Sequence, residues 1–259
     1  MIPEERRQKI SDYIKAEKTV SINQISKKFN ISEITVRRDL DKLSKQGAII
    51  KVYGGATLGI LYPKEFSLFK RMQEDVEIKK RIASEAFKRI SEKSTTIAMI
   101  AGSTTLELVK LLEQRGNINV VTVSPHILNA LCDLKRQNKF NGEIMCTGGI
   151  WRNDPDDLFV GTHAINFFDN VRIEVSFLGL LAIDLEDGLM CNSTFEAELI
   201  RKIMSSSETV IGIGDHTKFG RTAFAQIGPI DLLDEMITDK ELDEKIFTAF
   251  NKKVKVTLV

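Results

Sequence analysis

The chain has 259 residues, of which 42% are hydrophobic and 28% are charged, and its net charge is +1 at pH 7. This is the composition of a globular protein that holds one large or two ordinary domains. No apolar run approaches the ~20 residues of a membrane span, and the charged N-terminus lacks the apolar region of a signal peptide. We therefore expect a cytoplasmic protein and exclude a membrane partner.

The three cysteines, Cys132, Cys146 and Cys191, are widely spaced and never form a Cys-x-x-Cys pair. An odd number at these spacings argues against a disulfide framework and against a zinc site. The three histidines are scattered without metal-ligand spacing. The sequence thus predicts small reduced thiols, no metal and no cofactor.

Three stripes of apolar residues at helical spacing lie in the N-terminal part of the chain. Ser21 with Gln24 three residues later predicts a capping box at the start of the second helix. Asn30 ends that helix and Ser32 can cap the third, so the turn between them is as short as a helix-turn-helix requires. The stripes are Ile10, Tyr13 and Ile14; Ile22, Ile25 and Phe29; and Val36, Leu40 and Leu43.

The third helix has one apolar edge and one polar, basic edge. Packing the apolar edge inward leaves Glu33, Thr35 and Arg38 outward, with Arg37 at the boundary. Residues 49–55 follow as a short β-hairpin, like the wing of a winged helix. Such a surface suits phosphates and base edges. The predicted DNA contacts are Ser32, Glu33, Thr35, Arg37, Arg38, Lys51 and Tyr53.

Charge is distributed unevenly along the chain. Residues 1–57 carry 12 Lys/Arg and 7 Asp/Glu, whereas residues 58–259 carry 25 and 29. A basic module on a slightly acidic body is typical of a phosphate-binding head. The alternative is a three-helix bundle with a solvated, lysine-rich surface. The helix spacing, the hairpin and the arginine pair together favour DNA binding.

The pattern changes after residue 57. Residues 58–75 lack periodicity and contain Pro63, which predicts a linker between a DNA-binding domain at 1–57 and a second domain at 76–259. After a helix at 76–90, strand-length apolar runs alternate with helices, which predicts an α/β fold with a largely parallel sheet. The predicted strands are 96–100, 119–123, 143–146, 175–178, 209–213, 235–238 and 253–259, and the helices are 106–115, 125–134, 164–168 and 195–206.

Small polar residues follow several of these strands, where ligands bind in such sheets. The turn Gly102-Ser103-Thr104-Thr105 offers N–H groups, three hydroxyls and the positive end of a helix dipole, which together suit an oxyanion. The alternative is that Ser103 or Thr104 only caps the helix.

Other turns carry matching groups. Ser124 and Ser193 lie in turns of similar form, and we expect them to line the same pocket. Asp215 and Lys218 follow the strand at 209–213, where the ammonium suits a phosphate or carboxylate and Asp215 suits a ligand hydroxyl. An ordinary Asp–Lys pair in a glycine-rich surface turn is the alternative.

These motifs resemble those of the DeoR-type bacterial transcriptional regulators over nearly the whole chain. The most specific stretches are residues 32–40 and 47–56, and the C-terminal part adds residues 102–105 and 215–220. The resemblance implies a winged helix-turn-helix followed by a domain similar to ribose-5-phosphate isomerase, which binds phosphorylated sugars. It also implies a homodimer or homotetramer that represses a carbohydrate operon through a double-stranded DNA operator.

The chain departs from the family's pattern at three strand ends. Family members usually carry Asp before the Gly102 turn, Asn at 123 and Ala-Asp-Gly at 180–182. This chain has Ile100-Ala101, Val123 and Leu180-Leu181-Ala182. Because a sugar's hydroxyls need polar partners, we expect an effector with few hydroxyls or a pocket that has ceased to bind one.

Two classes of function stay open at this stage. One is a ligand-responsive regulator without catalysis. The other is an isomerase-like enzyme with a DNA-binding appendage, in which Glu196, Glu198, Asp215 and Lys218 would supply a base and a polarising group. The apolar residues at the strand ends weaken the catalytic interpretation, so we expect a regulator and not an enzyme.

Overall fold

The computed structural model describes residues 3–17, 19–45, 50–52, 55–57, 68–93, 95–115, 117–152 and 157–259. The chain divides into two units, Met1–Lys64 and Glu65–Val259. No helix within the described residues is long and apolar enough to cross a membrane.

The first unit is a winged helix-turn-helix, as the sequence predicts. Its three apolar stripes meet in one core. Ser21 and Gln24 form the capping box at the start of the second helix, and Asn30 ends it in the left-handed conformation with φ of 49°. The elements are α1 (Pro3–Glu17), β1 (Thr19–Ser21), α2 (Ile22–Phe29), α3 (Glu33–Lys45), β2 (Ile50–Val52) and β3 (Gly55–Thr57).

Strand β3 pairs antiparallel with both β1 and β2, which closes the wing onto the helices. Gly55 permits this pairing because a Cβ there would lie 2.3 Å from the carbonyl oxygen of Val20.

A buried carboxylate joins α1 to α3. Asp39 is only 3% exposed. Arg6 donates to its two oxygens at 2.6 and 3.2 Å, and Arg7 approaches within 3.6 Å. Since a buried carboxylate without a partner is costly, this pairing fixes the side of α3 that faces the core.

The second unit is an α/β domain. Its first half comprises α4 (Leu68–Arg71), α5 (Val76–Phe87), β4 (Thr96–Met99), α6 (Ser103–Leu111), β5 (Asn119–Thr122), α7 (Pro125–Arg136), β6 (Ile144–Cys146), β7 (Ile150–Arg152), β8 (Leu158–Val160) and α8 (Thr162–Asn166). Its second half comprises β9 (Ile173–Gly179), β10 (Ala182–Asp184), β11 (Gly188–Cys191), α9 (Thr194–Ser205), β12 (Ser207–Ile213), β13 (Ala225–Gly228), β14 (Glu235–Thr238), α10 (Glu244–Phe250) and β15 (Lys255–Leu258).

Seven strands form one sheet in the order β15-β14-β12-β9-β4-β5-β6. Every neighbouring pair in it is parallel. Helices α5, α6 and α7 contribute to the apolar core on one face, and α8, α9 and α10 contribute to the core on the other. All seven predicted strands are present, which confirms the predicted parallel α/β fold.

Shorter elements escape the sequence pattern. Strands β10, β11 and β13 form a small antiparallel sheet, β7 and β8 form a hairpin, and α10 precedes the last strand. Runs of three or four residues carry too little periodicity to be recognised as strands.

The predicted linker over residues 58–75 lies outside the described residues as far as 67. Within its described part, Leu68–Arg71 is helical. Leu68 is buried in the same core as Ile82 of α5. The residues just before α5 therefore pack with the second unit.

Candidate functional site

Ser32 caps the first turn of α3, and its hydroxyl is paired with that of Thr35. Ser32 Oγ accepts the N–H of Thr35 at 3.2 Å and lies 2.9 Å from Thr35 Oγ1. Glu33 lies 3.9 Å from Arg37, at the distance of a weak ion pair. Arg37 and Arg38 are both exposed. The predicted basic edge of α3 is therefore on the surface, and the Ser32 hydroxyl supports the helix end.

The centre of that surface is a residue that the sequence analysis missed. Ile34, Arg37 and Arg38 stand at i, i+3 and i+4, so they share one face of α3, opposite Val36. Ile34 is 73% exposed. Neither predicted wing contact can be placed, because Tyr53 and the side chain of Lys51 lie outside the described residues.

A cleft opens at the carboxyl edge of the large sheet, where β4, β9 and β12 end side by side. It is partly open to solvent. Gly102, Ser103, Thr104 and Lys218, four of the predicted effector residues, line it together with Arg71 and Glu196 from α4 and α9. The apolar part of its lining is Ile100, Ala101, Gly179, Leu180, Leu181, Met190, Cys191, Ile200, Ile213, Gly214 and Ile227.

Helix α6 begins at the cleft without a side-chain cap. Gly102 occupies the N-cap with φ of 142°, a conformation that favours glycine. Gly102 has no side chain with which to cap the helix, so the first N–H groups of α6 lie at the cleft beside Ser103 and Thr104 without a cap from the N-cap residue. This is the geometry that binds anions at helix N-termini.

Thr105 does not line the cleft. It is fully buried, and its Oγ1 makes no hydrogen bond within the described residues. A Cβ at Gly179 would lie 3.1 Å from that oxygen and 2.2 Å from the carbonyl oxygen of Ala101. Thr105 therefore packs under the contact between α6 and the end of β9.

Lys218 and Asp215 form a charged turn after β12. Asp215 is buried, and its carboxylate accepts the N–H of Thr217 at 3.0 Å, which caps the turn that carries Lys218. Burial alone would raise the pKa of Asp215. The neighbouring Lys218 ammonium and the hydrogen bonds from Thr217 outweigh it and hold the pKa below its ordinary value. Asp215 thus supports Lys218 and does not itself line the cleft.

Lys79 of α5 is a second lysine beside this turn, and the sequence analysis missed it. It is only 4% exposed and donates to the carbonyl oxygens of Arg71, at 2.5 Å, and Glu74. Burial lowers the pKa of Lys79, while the charge of Asp215 acts in the opposite direction.

Glu196 and Cys191 meet at the far side of the cleft. Burial and the nearby Glu196 carboxylate raise the pKa of the Cys191 thiol to about 12, so the thiol stays protonated at neutral pH. Glu198, the other glutamate of this helix considered for catalysis, is exposed and does not line the cleft.

Ser124 and Ser193 lie elsewhere. Ser124 is fully buried at the start of α7, outside the cleft. Ser193 caps α9, where its Oγ accepts the N–H of Phe195 at 3.2 Å and a hydrogen bond from Arg152 at 2.6 Å. It lines a smaller adjoining pocket with Arg152, and Glu196 borders both pockets.

The structure also brings together His216, Asp239 and Glu241, whose separation in sequence hides the cluster. His216 Nδ1 lies 2.9 Å from Asp239 Oδ1. The two Asp239 oxygens also accept the N–H groups of Glu241 and His216, at 2.9 and 2.7 Å. These hydrogen bonds hold His216, in the turn after β12, against Asp239, which accounts for the cluster by structure alone.

A winged helix-turn-helix joined to an α/β domain with a cationic cleft defines a DNA-binding regulator with a sensor domain. The family model described as DeoR-like helix-turn-helix domain matches residues 6–59, and that described as DeoR C terminal sensor domain matches residues 74–240. The chain belongs to the DeoR family of transcriptional regulators.

Relatives align along nearly the whole chain. The HTH-type transcriptional regulator GlpR of Haloferax volcanii is 30% identical, over 94% of this chain and 92% of that protein. The HTH-type transcriptional regulator IolR of Bacillus subtilis is 30% identical, over 93% and 92%. The glycerol-3-phosphate regulon repressor of Escherichia coli is 29% identical, over 91% and 90%. These relatives are named regulators, which supports a regulator and not an isomerase-like enzyme.

Among solved structures, D-ribose-5-phosphate isomerase in complex with phospho-erythronic acid aligns with 56% of this chain and 54% of its own, at 21% identity and a TM-score of 0.39.

Proposed function

We propose that this regulator represses a carbohydrate-metabolism operon and that an anionic metabolite, a phosphorylated sugar or a close relative, binds in the cleft and changes its affinity for operator DNA. The observation that carries the proposal is the convergence of the uncapped start of α6 with Ser103, Thr104 and Lys218 in one cleft. The relatives are named as transcriptional regulators and a repressor, which supports the proposal that this chain regulates transcription by binding DNA.

Operator binding is assigned to the outward face of α3. Arg37 and Arg38 are exposed there, whereas Asp39 and Leu40 are buried and hold the opposite side. Recognition helices contact base edges mainly through their N-terminal residues. Phosphate-contacting arginines add sequence-independent affinity that falls with salt concentration.

The test of this surface is the double variant Arg37→Ala with Arg38→Ala. We expect operator affinity to fall and the salt dependence to flatten, because phosphate contacts release counterions. A mobility-shift titration at several salt concentrations on the protein's own promoter measures both. Arg136→Ala, which removes an exposed arginine of α7, is the matched control. Unchanged affinity in the double variant would remove α3 from the interface.

The effector assignment depends on the charges of the cleft. Lys218 and Arg71 supply positive charge, and the start of α6 supplies N–H groups and two hydroxyls. Much of the remaining wall is apolar, including Leu180 and Leu181. These surroundings favour a phosphate or carboxylate group on a body with few hydroxyls.

Regulation requires that the effector bind the DNA-competent and DNA-incompetent states with different affinities. Coupling of ~1–3 kcal/mol is typical and would change operator affinity roughly 5- to 150-fold. We expect Lys218→Ala to lose the effector response while operator affinity without effector stays near normal, because Lys218 lies in the sensor unit.

The experiment titrates the operator complex with a panel of sugar phosphates, short-chain phosphate esters and the corresponding unphosphorylated compounds. Wild type, Lys218→Ala and the surface control Lys252→Ala are compared. A response of wild type and the control, absent in Lys218→Ala, supports the cleft. If no anionic compound changes wild-type affinity, the sensor unit has no effector of this class and serves assembly alone.

Assembly is the remaining part of the proposal. One winged helix makes few base contacts, and two symmetry-related heads read paired half-sites. We propose at least a homodimer, formed through residues 58–259, with a homotetramer as the larger alternative. Light scattering at micromolar concentration measures the mass, and a monomer with and without DNA would contradict the assembly.

A further inference from the structure

The outward face of α3 carries an isoleucine that lies outside the apolar core formed by the described residues of its unit. Ile34 is 73% exposed, more than any other large hydrophobic side chain recorded as exposed among the described residues. The apolar side of the same helix, through Val36, Leu40 and Leu43, is already complete in the core. Ile34 is therefore not part of the core that the described residues of the first unit form.

The neighbours of Ile34 point to DNA. It lies in the first turn of α3, and Arg37 and Arg38 follow on the same face at i+3 and i+4. This unit also carries the excess of basic residues, with 12 Lys/Arg against 7 Asp/Glu in residues 1–57. The two arginines suit a polyanion such as DNA. The isoleucine between them suits an isolated apolar group on that polyanion.

The major groove has one such group. Its edges present hydrogen-bond donors and acceptors, and the only apolar feature is the C5-methyl of thymine. Isoleucine has no polar side-chain atom, so it can distinguish base pairs there only by this methyl. The neighbouring hydroxyls of Ser32 and Thr35 already bond to each other and to the helix end.

We propose that Ile34 determines part of the operator sequence by contacting the C5-methyl of a thymine in each half-site. This inference rests on the proposed docking of α3 in the major groove. It adds an apolar specificity contact to the electrostatic contacts of the arginines.

The test uses a duplex selected by the full chain from a random-sequence library, with each thymine replaced in turn by uracil. Uracil keeps the base pair and its major-groove acceptor and removes only the methyl. We expect wild type to lose affinity about fourfold at one thymine of each half-site, the factor that corresponds to one methyl group returned to water. Ile34→Ala should bind the unmodified duplex more weakly and show no penalty at that thymine.

Two matched variants complete the design. Ile34→Val keeps the branched Cβ with its apolar groups and removes one carbon, so it should retain most of the uracil penalty. Ile150→Ala removes a similarly exposed isoleucine, 67% exposed, from the sensor unit and should retain the whole uracil penalty. Because an apolar contact releases no counterions, Ile34→Ala should also leave the slope of affinity against salt unchanged.

The possible results distinguish a failure of the Ile34 contact from a failure of DNA binding by α3. If Arg37→Ala with Arg38→Ala leaves affinity unchanged, α3 is not at the DNA and both fail. If the arginines matter but no uracil affects wild type, or if Ile34→Ala keeps the full uracil penalty, only the assignment of Ile34 is overturned. Circular dichroism confirms that the variants are folded.

Discussion

Helices α3 and α6 begin in different ways, and the difference separates their roles. In α3, Ser32 accepts the N–H of Thr35, so the first turn is capped by its own chain. In α6, Gly102 precedes the helix without a side-chain cap, and the first turn faces the cleft. The DNA-binding unit thus presents the flank of a helix, and the sensor unit presents the end of one.

Each presentation suits the size of its proposed ligand. A groove of DNA is long, so a flank that carries Ile34, Arg37 and Arg38 can meet several groups along it. A small anion is met by converging N–H groups and hydroxyls at one point. The capped start of α3 and the uncapped start of α6 are therefore consistent with the two proposed ligands.

The largest expected effect comes from the carboxylate that holds α3. Asp39→Ala removes the partner of Arg6 and Arg7, and breaking a buried ion pair costs about 3–5 kcal/mol. Amide hydrogen exchange should show lost protection in α1, α2 and α3 and unchanged protection in β9 and β12. The isosteric Asp39→Asn should lose less. An equal loss of hydrogen-exchange protection in both units would show that Asp39→Ala destabilises the whole chain and not the first unit alone.

The sensor unit has a comparable pair at the opposite edge of its sheet from the cleft. Arg89 donates to both oxygens of Glu235, at 2.8 and 2.9 Å, and Thr257 donates at 2.5 Å. The bonds from Arg89, assisted by Thr257 and Lys255, lower the pKa of Glu235 from 4.5 to about 2. A lowered folded-state pKa adds stability that is full above pH 4.5 and is lost as the pH falls to about 2.

This loss should amount to about 3 kcal/mol, since one pKa unit corresponds to 1.36 kcal/mol. Urea unfolding of the sensor unit between pH 5 and 2.5, measured on the full chain by hydrogen exchange, gives the slope. Glu235→Gln should flatten it, whereas Glu208→Gln, which alters an exposed pair, should not. A slope identical in both variants would assign the acid sensitivity to other carboxylates.

A smaller effect tests the end of α6. Ser103→Ala and Thr104→Val should each weaken anion binding about fivefold, because a typical hydrogen bond contributes about 1 kcal/mol. Thr105→Val is the matched control, since Thr105 lies outside the cleft and its Oγ1 has no partner among the described residues. Calorimetric titration with the compound found active on the operator complex measures the three affinities. A loss in Thr105→Val as large as the others would place the anion deeper than proposed.

The smallest effect tests the start of α3. Ser32→Ala should lower the stability of the DNA-binding unit by about 1 kcal/mol, the usual value of an N-cap. Ser32→Asp, which restores an acceptor, should recover it. Hydrogen exchange in α3 measures both. If Ser32→Ala weakens operator binding without lowering helix protection, Ser32 acts at the DNA and not as a cap.

The sequence by itself determined the helices of the DNA-binding unit, the strands of the large sheet and the order in which they occur. Hydrophobic periodicity is local, so it identified the three stripes of the winged helix and all seven strands of the large sheet. Capping is equally local, and the Ser21–Gln24 box is present as predicted. The resemblance of residues 32–40 to a known family is of the same kind, because it depends on contiguous residues.

Only the tertiary structure decided which strand ends meet. Strands β4 and β12 both flank β9, so the Gly102 turn and Lys218 converge on the end of β9. Ser124 follows β5, beyond β4, and Ser193 follows β11, outside the large sheet, so neither lines the cleft. Arg71 and Glu196 line it instead, and Lys79 lies buried behind it, because packing brings together residues that are distant in the chain. Local patterns report which residues are buried, whereas sheet order and helix packing set their neighbours.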